Sequence, residues 1–402
     1  MEDPKAPVLK NPNLHIIFLI TLMAVMGVTS ITPAFPMIIR ELQITPQEIG
    51  LLITAFTIPG IFLTPFMGIL ADRYGRKNIL VPMLLIFSIF GFLCTFTKNF
   101  EILILFRVLQ GIGASSLGSI NVTLIGDIFS GNQRAAAMGY NSSVLSVGTA
   151  AYPAIGGAIA LAGWNYPFML PILALPVAIL IIYRLNNPEP DAPKSMRQYL
   201  QNTWRNINRK MVWGLFTINI LIFVVLYGSI LTYFPIYLAQ KFNSSSLVIG
   251  LVMTIMSLST AITSSRVGYL AKRIQPKFLL ITSFCIYTLS FILYPNAHGW
   301  GLIILAAVMS GMAHGVSLPN IQNLLVGMAP LQERAAFMSL NSMVLRIGQT
   351  LGPIFMGLVY TLFNIGATFY AASVIAVIMV VITILVMRLD HREDPSVKTD
   401  GN

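Results

Sequence analysis

The chain reads as an all-α integral membrane protein of twelve transmembrane helices arranged as two parallel six-helix repeats. Three observations carry that reading. Of 402 residues, 56% are hydrophobic and only 10% charged, with a mean hydropathy of +0.77, so polar groups are too scarce to cover a water-exposed surface. Apolar runs of about 20 residues, the length that crosses the hydrocarbon of a bilayer, recur along the whole chain. The sequence also repeats itself at an offset of 200 residues: QRAAAMGYNSSVLSVGTAAYP, Gln133–Pro153, and ERAAFMSLNSMVLRIGQTLGP, Glu333–Pro353, are identical at ten of 21 positions.

In chain order, the first half holds apolar runs at 14–39, 48–71, 78–96, 101–126, 136–162 and 166–184. The second holds them at 211–238, 247–271, 278–295, 300–328, 335–362 and 365–388. The gaps are short, the alternation of a membrane barrel is absent, and every backbone group must be hydrogen-bonded within the bilayer, so the runs are helices. The offset recurs at Ile49, Gly50 and Leu51 against Ile249, Gly250 and Leu251, at GILADR (68–73) against GYLAKR (268–273), and at Gly111 against Gly311. Six crossings return the chain to its starting face, which makes the halves parallel repeats with function expected between them.

Residues 1–184 thus form an N-terminal six-helix bundle, 185–211 a linker, and 212–402 a C-terminal six-helix bundle. The linker opens with the breaker run NNPEPDAPK. Its continuation admits two readings, a surface-lying helix with Met196, Tyr199, Leu200, Ile207 and Met211 on one face, or a flexible tether. Of the 25 Lys and Arg, nineteen fall on the side that holds the termini and only Arg40, Lys98 and Lys241 on the other. Basic loops stay in the cytoplasm, so both termini are expected there, in a multi-pass protein of the cell inner (plasma) membrane. The net charge of +11 then reads as topology and attraction to membrane lipids, with no nucleic-acid partner. MEDPKAPVLKNPN leads directly into a full-length span without a cleavable signal pattern, so the first helix is its own targeting signal. Cys94 and Cys285 lie in apolar spans and read as buried thiols rather than a disulfide.

Two motifs carry a family resemblance over the whole chain. GILADRYGRK, Gly68–Lys77, resembles the GxLaDRxGRK signature of the major facilitator superfamily, between its second and third helices. LFRVLQGIGA, Leu105–Ala114, resembles the RxxQGxGA motif of that superfamily's fourth helix. The resemblance implies the major facilitator fold and secondary transport. On the fifth helix GTAAYPAIGG, Gly148–Gly157, resembles the gxxxGPxxGG motif of the drug:proton antiporters, with Tyr152 replacing the Gly before Pro153; the eleventh helix keeps the Gly-Pro pair in GQTLGP, Gly348–Pro353.

Physical reasons can be given for these residue types. Gly68 and Gly75 permit close helix approach and a tight turn, and Asp72 pairs with Arg73 or Arg76 or accepts from a helix N-terminus, which together with Lys77 would latch the halves at the cytoplasmic face. The plainer alternative is a solvated loop that serves topology alone. The second-half copy has Lys272 in place of Asp72, so an acidic latch belongs to the first half. Asp127 either pairs with Arg134, the gating reading that is preferred, or accepts protons. Gly148, Pro153, Gly156, Gly157, Gly348, Gly352 and Pro353 suit a hinge where small residues allow close packing and Pro bends the helix.

The fourteen carboxylates all lie outside the middle of the spans, whereas Arg107 and Arg346, together with the titratable His314, lie within them. At 1.5 Å per residue Arg107 is about 9 Å from Glu101, and Arg346 about 16 Å from Ala335. A buried guanidinium needs a polar cavity or paired groups. By resemblance Arg107 is the motif arginine near the transport pathway, linked in antiporters to proton coupling; the other reading is a packing arginine bonded to carbonyls. His314 is either a proton carrier or a hydrogen-bonded core histidine. The expected pathway is Arg107, Gln110, Gly111, Asn121, Asn141, Tyr227, Tyr233, His314, Asn320, Asn341 and Arg346, a basic, aromatic cavity.

No nucleotide loop or metal-ligand cluster is present, so the chain is expected to be no enzyme and to need no cofactor or metal. The expected function is proton-coupled export of small amphiphilic compounds by alternating access, in a monomer. The rival within transport is a carrier of an anionic metabolite or lipid-like amphiphile. A non-transporting receptor or sensor on the same fold is the alternative of another class.

Overall fold

The computed structural model describes residues 8–186, 210–328 and 334–393, without the side chains at 69, 72, 132, 135, 334–336, 339 and 388–393. Nearly all of the 185–211 linker, including the surface helix considered for it, lies outside the described residues, as does the side chain of Asp72.

Among the described residues, twelve helices are long and apolar enough to cross a membrane. In the first half they are α1 (Pro12–Leu42), α2 (Pro46–Gly68), α3 (Arg76–Leu93), α4 (Phe100–Ile128), α5 (Ala136–Ala160) and α6 (Tyr166–Arg184). In the second they are α7 (Lys210–Phe242), α8 (Ser246–Leu270), α9 (Pro276–Asn296), α10 (Trp300–Met328), α11 (Leu340–Leu362) and α12 (Ile365–Met387). The helix of α2 runs on to Tyr74, and that of α11 starts at Arg334. Outward faces carry exposed apolar side chains such as Phe62, Ile262, Leu358 and Val374, as a lipid-facing surface requires. Cys94 is buried as expected, but Cys285 is exposed on the outside of α9, where a thiol is apolar enough to face hydrocarbon.

The repeat is visible down to single turns. Gln43, ending α1, and Asn243, ending α7, are the two non-glycine residues with positive φ among those described, at 52° and 49°. Two residues on, Thr45 caps α2 in a reciprocal box with Glu48, and Ser245 caps α8 by accepting from the Val248 N–H. Within each half the packing is the same: α1 on α5 and α7 on α11, α2 on α4 and α8 on α10, α3 on α6 and α9 on α12. Close approach of α4 to α2 depends on Gly111, whose Cβ would strike the Phe56 carbonyl, and that of α10 to α8 on Gly311, whose Cβ would strike the Met256 carbonyl.

The halves meet through two matching pairs, α2 with α11 and α5 with α8. Among the described residues the hydrogen bonds across this seam lie at mid-span or toward the face opposite the termini. The Thr57 and Thr350 hydroxyls pair at 2.8 Å, and Thr54 donates to the Thr350 carbonyl at 3.2 Å. Ser246 donates to the Gly157 carbonyl at 2.9 Å and Thr254 to the Ala150 carbonyl at 2.7 Å. The outer ends of α1 and α7 also touch. Toward the terminal face the halves part: nothing lies within 4 Å of where a Cβ would stand on Gly68, Gly118, Gly139 or Gly268.

Candidate transport pathway

Three helices lose their regular winding where the halves part. In α1 the α-helix stops at Thr29 and a 3-10 turn, Thr32–Ala34, precedes Phe35–Leu42; Pro33 and Pro36 supply no N–H there. In α7, at the equivalent place, Leu226–Tyr233 is π-helical, and the Thr232 hydroxyl takes up the Tyr227 carbonyl at 2.7 Å. In α4 the chain breaks at Ser115–Ser116, and Thr64 of α2 donates to the Ser115 carbonyl at 2.9 Å.

These breaks border one cavity of about 1000 Å³ between the halves. Its first-half wall includes Val25, Phe56, Thr64, Ser119, Ser142 and Ser146, and its second-half wall Phe223, Tyr227, Met253, Met256, Tyr287, His314, Arg346 and Gln349. It reaches Ser142, Ser265, Pro319 and Gln322 near the terminal face and stops at Pro153, Ile230 and Leu231 toward the other, so it opens on the terminal side. Among the described residues the lining side chains that bear charge or titrate, Arg346, His314, Tyr227 and Tyr287, all belong to the second half, and none is a carboxylate.

Arg346 donates from Nη1 to Gln349 Oε1 at 3.3 Å, and among the described residues it has no other hydrogen-bond partner and no carboxylate in reach. Its guanidinium lies across the seam on Gly60 of α2, where a Cβ would come 3.0 Å from Nε and 3.4 Å from Cζ. His314 Nδ1 lies 2.9 Å from the Tyr287 hydroxyl, and its ring meets Phe223 edge-on with centroids 6.4 Å apart.

The expected pathway residues divide. Tyr227, His314 and Arg346 line the cavity. Arg107 does not: it is fully buried behind Phe56, with Nε on the Leu52 carbonyl at 3.1 Å and Nη1 on the Gly27 carbonyl at 2.9 Å and on Gln110 Oε1 at 2.6 Å. Its guanidinium sits 4.4 Å from the centre of the Phe56 ring. The sequence placed Arg107 and Gln110 on the pathway; here one carbonyl each from α1 and α2, with Gln110, takes three of the five guanidinium donors and closes the first half around it, while Nη2 is buried without a partner among the described residues.

The asparagines are likewise bolts inside each half rather than cavity lining. Asn121 donates to the Thr21 hydroxyl, which donates to Asn141 Oδ1 at 2.5 Å, joining α4, α1 and α5. Asn219 joins α7 to α11 by donating to Asn341 Oδ1 at 2.9 Å, and Asn320 ties α10 to the Pro276 carbonyl. Tyr233 is fully buried and stacked on Tyr360 with centroids 5.6 Å apart. Gly111 is the α4 to α2 contact already described.

At the terminal face Asp127 pairs with Arg76 Nε at 3.0 Å, not with Arg134. Arg134 instead donates to the Phe129 carbonyl at 3.2 Å and to that of Gly126. The swap follows from the turn: Gly75, with φ of 91°, aims the buried Arg76 at the end of α4, whereas Arg134 folds back on the carbonyls that end the same helix. Lys77 donates to the Ile182 carbonyl, and Arg73 covers the Tyr74 ring. All these contacts stay within the first half. Gly68, expected at a close helix approach, faces open space because the halves are apart at its level.

The glycine and proline set lies at tight contacts. Gly148 is against Leu22 and Val25, and Gly156 against the Ser30 backbone; Gly348 and Gly352 lie on the Ile220 and Val224 carbonyls. Gly157, Pro153 and Pro353 touch the other half at Ser246, Gly250 and Gly50.

Phe56, Gly60, Tyr287 and Gln349 went unread in the sequence. One signal was available: at the 200-residue offset Phe87 becomes Tyr287 and Ala114 becomes His314, a joint switch to polarity at two positions that prove to be hydrogen-bonded.

The Major Facilitator Superfamily model matches residues 17–245 and 223–401. The quinolone resistance protein NorA of Staphylococcus aureus (strain N315) is 27% identical over 395 residues, covering 95% of this chain and 98% of that one. Multidrug resistance protein 1 of Bacillus subtilis (strain 168) is 29% identical over 377 residues, covering 93% and 96%. Among solved structures, a bacterial homologue of the human lysosomal transporter Spinster superposes with a TM-score of 0.79 at 20% identity, covering 96% of this chain and 100% of that one. Two six-helix repeats around a shared cavity, with the family's match running through both, show that this chain belongs to the Major Facilitator Superfamily and is a transporter, not an enzyme.

Proposed function

We propose that the chain is a proton-coupled exporter of small amphiphilic compounds that works by alternating access as a monomer in the plasma membrane. The carrying observation is the cavity of about 1000 Å³, walled by apolar and hydroxyl side chains of both halves, open at one face and sealed at the other. Basic loops put the open face in the cytoplasm, so the structure corresponds to the state that loads from inside. Rocking of the halves about the Thr57–Thr350 and Ser246–Gly157 contacts would open the outer face. Closing the inner face would bring Gly68 and Arg73 against the second half, which is when the latch would act.

The names of the relatives, quinolone resistance protein and multidrug resistance protein, support efflux of drug-like molecules. His314 supports proton coupling: it lines the cavity and is the side chain type that titrates near neutral pH. Purified protein in liposomes, with internal pH and a fluorescent amphiphile followed together, tests this. An exporter moves protons against the amphiphile, and His314→Gln keeps binding while losing proton-driven accumulation. Binding without movement of either would mean a receptor; movement of amphiphile without protons would remove the coupling.

A further inference from the structure

From the cavity's charge pattern we infer that the preferred cargo is an amphiphile with a single acid group, and that the acid is held by Arg346 on a seat provided by Gly60. The inference deepens the exporter reading and rests on it. Arg346 has five N–H donors, of which one has a partner among the described residues, the 3.3 Å bond to Gln349. The other donors border a cavity lined by apolar and hydroxyl side chains, with no carboxylate among the described residues of its lining. A guanidinium so placed has lost part of its hydration without a counterion, and a carboxylate restores the balance with two parallel N–H···O bonds. A cationic amphiphile would meet repulsion from Arg346 with no acidic group to offset it.

The number of acid groups follows from the repeat. Ser146 stands where Arg346 does in the other half and lines the same cavity, and Arg107 is screened from it by Phe56. There is one anchor, hence one acid. Gly60 makes the anchor geometry specific: an alanine Cβ there would stand 3.0 Å from Nε, 3.1 Å from Cδ and 3.4 Å from Cζ of Arg346. The guanidinium would have to shift by a few tenths of an ångström. The seat comes from the first half and the cation from the second, so the bound acid sits on the seam.

A probe series with one skeleton tests this: 1-pyrenebutyric acid, its amide and 4-(1-pyrenyl)butylamine, measured for binding in nanodiscs of zwitterionic lipid and for transport into liposomes. The expected order is acid over amide over amine. Arg346→Gln should cost the acid roughly ten- to a hundredfold, the worth of one or two charge-assisted bonds, and leave the amide within about twofold. Arg346→Lys should recover part of the loss, and Gly60→Ala should weaken the acid selectively with the amide unmoved. Transport of all three without preference, or equal losses of acid and amide in Arg346→Gln, would overturn the acid inference and leave the exporter standing. Transport of none by folded protein would overturn both.

Discussion

At position 107 the first half buries an arginine where the second has Ala307; at position 346 the second half turns an arginine into the cavity where the first has Ser146. The same exchange runs through the neighbouring positions. Phe87 and Ala114 of the first half become Tyr287 and His314 of the second, and Gly27 becomes Tyr227. The helix packing around them is shared, down to the left-handed residues Gln43 and Asn243, although α4 breaks at Ser115–Ser116 where α10 runs unbroken. A duplicated bundle therefore keeps its helix packing in both copies while the chemistry migrates to one. The first half spends its charge on internal cohesion, through Arg107 and the Arg76–Asp127 pair, and the second presents its charge to the cavity.

That division can be broken by substitution. Gly111→Val and Gly311→Val should be equally severe, since each drives a side chain into a backbone carbonyl; folded yield from membranes should fall roughly tenfold or more in both, and a mild effect in one would deny the shared frame. Arg107→Ala and Arg346→Gln should then separate the halves. Arg107→Ala removes three charge-assisted bonds and should cost about 3 kcal/mol or more in thermal stability while leaving the acid-to-amide preference intact; Arg346→Gln should do the reverse.

Asp127→Asn should cost about 1–3 kcal/mol, because it turns a charge-assisted hydrogen bond to Arg76, which is buried in the first half, into a neutral one. Loss of transport at unchanged stability would instead make Asp127 a proton acceptor. Smallest is Thr350→Val, which removes one interhelical hydrogen bond of the outer seam, that to the Thr57 hydroxyl, and keeps the Thr54 bond to the backbone carbonyl of residue 350. Bonds of this kind are worth roughly 0.6–1.7 kcal/mol in membranes, enough to raise cysteine labelling at the outer face several-fold.

Architecture was legible because it is written in repetition and hydrophobicity, both of which survive without side-chain orientation. Twelve apolar runs and the 200-residue offset led to twelve helices, with ends displaced by a few residues. The site was legible only where a charge had nowhere else to go. Arg346 and His314 are polar groups in apolar helices and both face the cavity; Arg107 is too, yet Gly27 and Leu52 carbonyls, released by packing that the sequence does not display, take it out of the pathway. Asn121 and Asn141 misled for the same reason: a buried amide in a span signals a partner, and only coordinates tell whether that partner is Thr21 or a ligand. Gly60 could not be read at all, since its meaning comes from a side chain 286 residues away in sequence on the other half.

The most direct test is the position of a bound amphiphile, determined by electron cryomicroscopy of the protein with a brominated arylalkyl acid. The account predicts density between Phe56 and Met256, with the carboxylate on Arg346 and no contact to Arg107. Density that engages Arg107 after displacement of Phe56, or a carboxylate pointing away from Arg346, would contradict it.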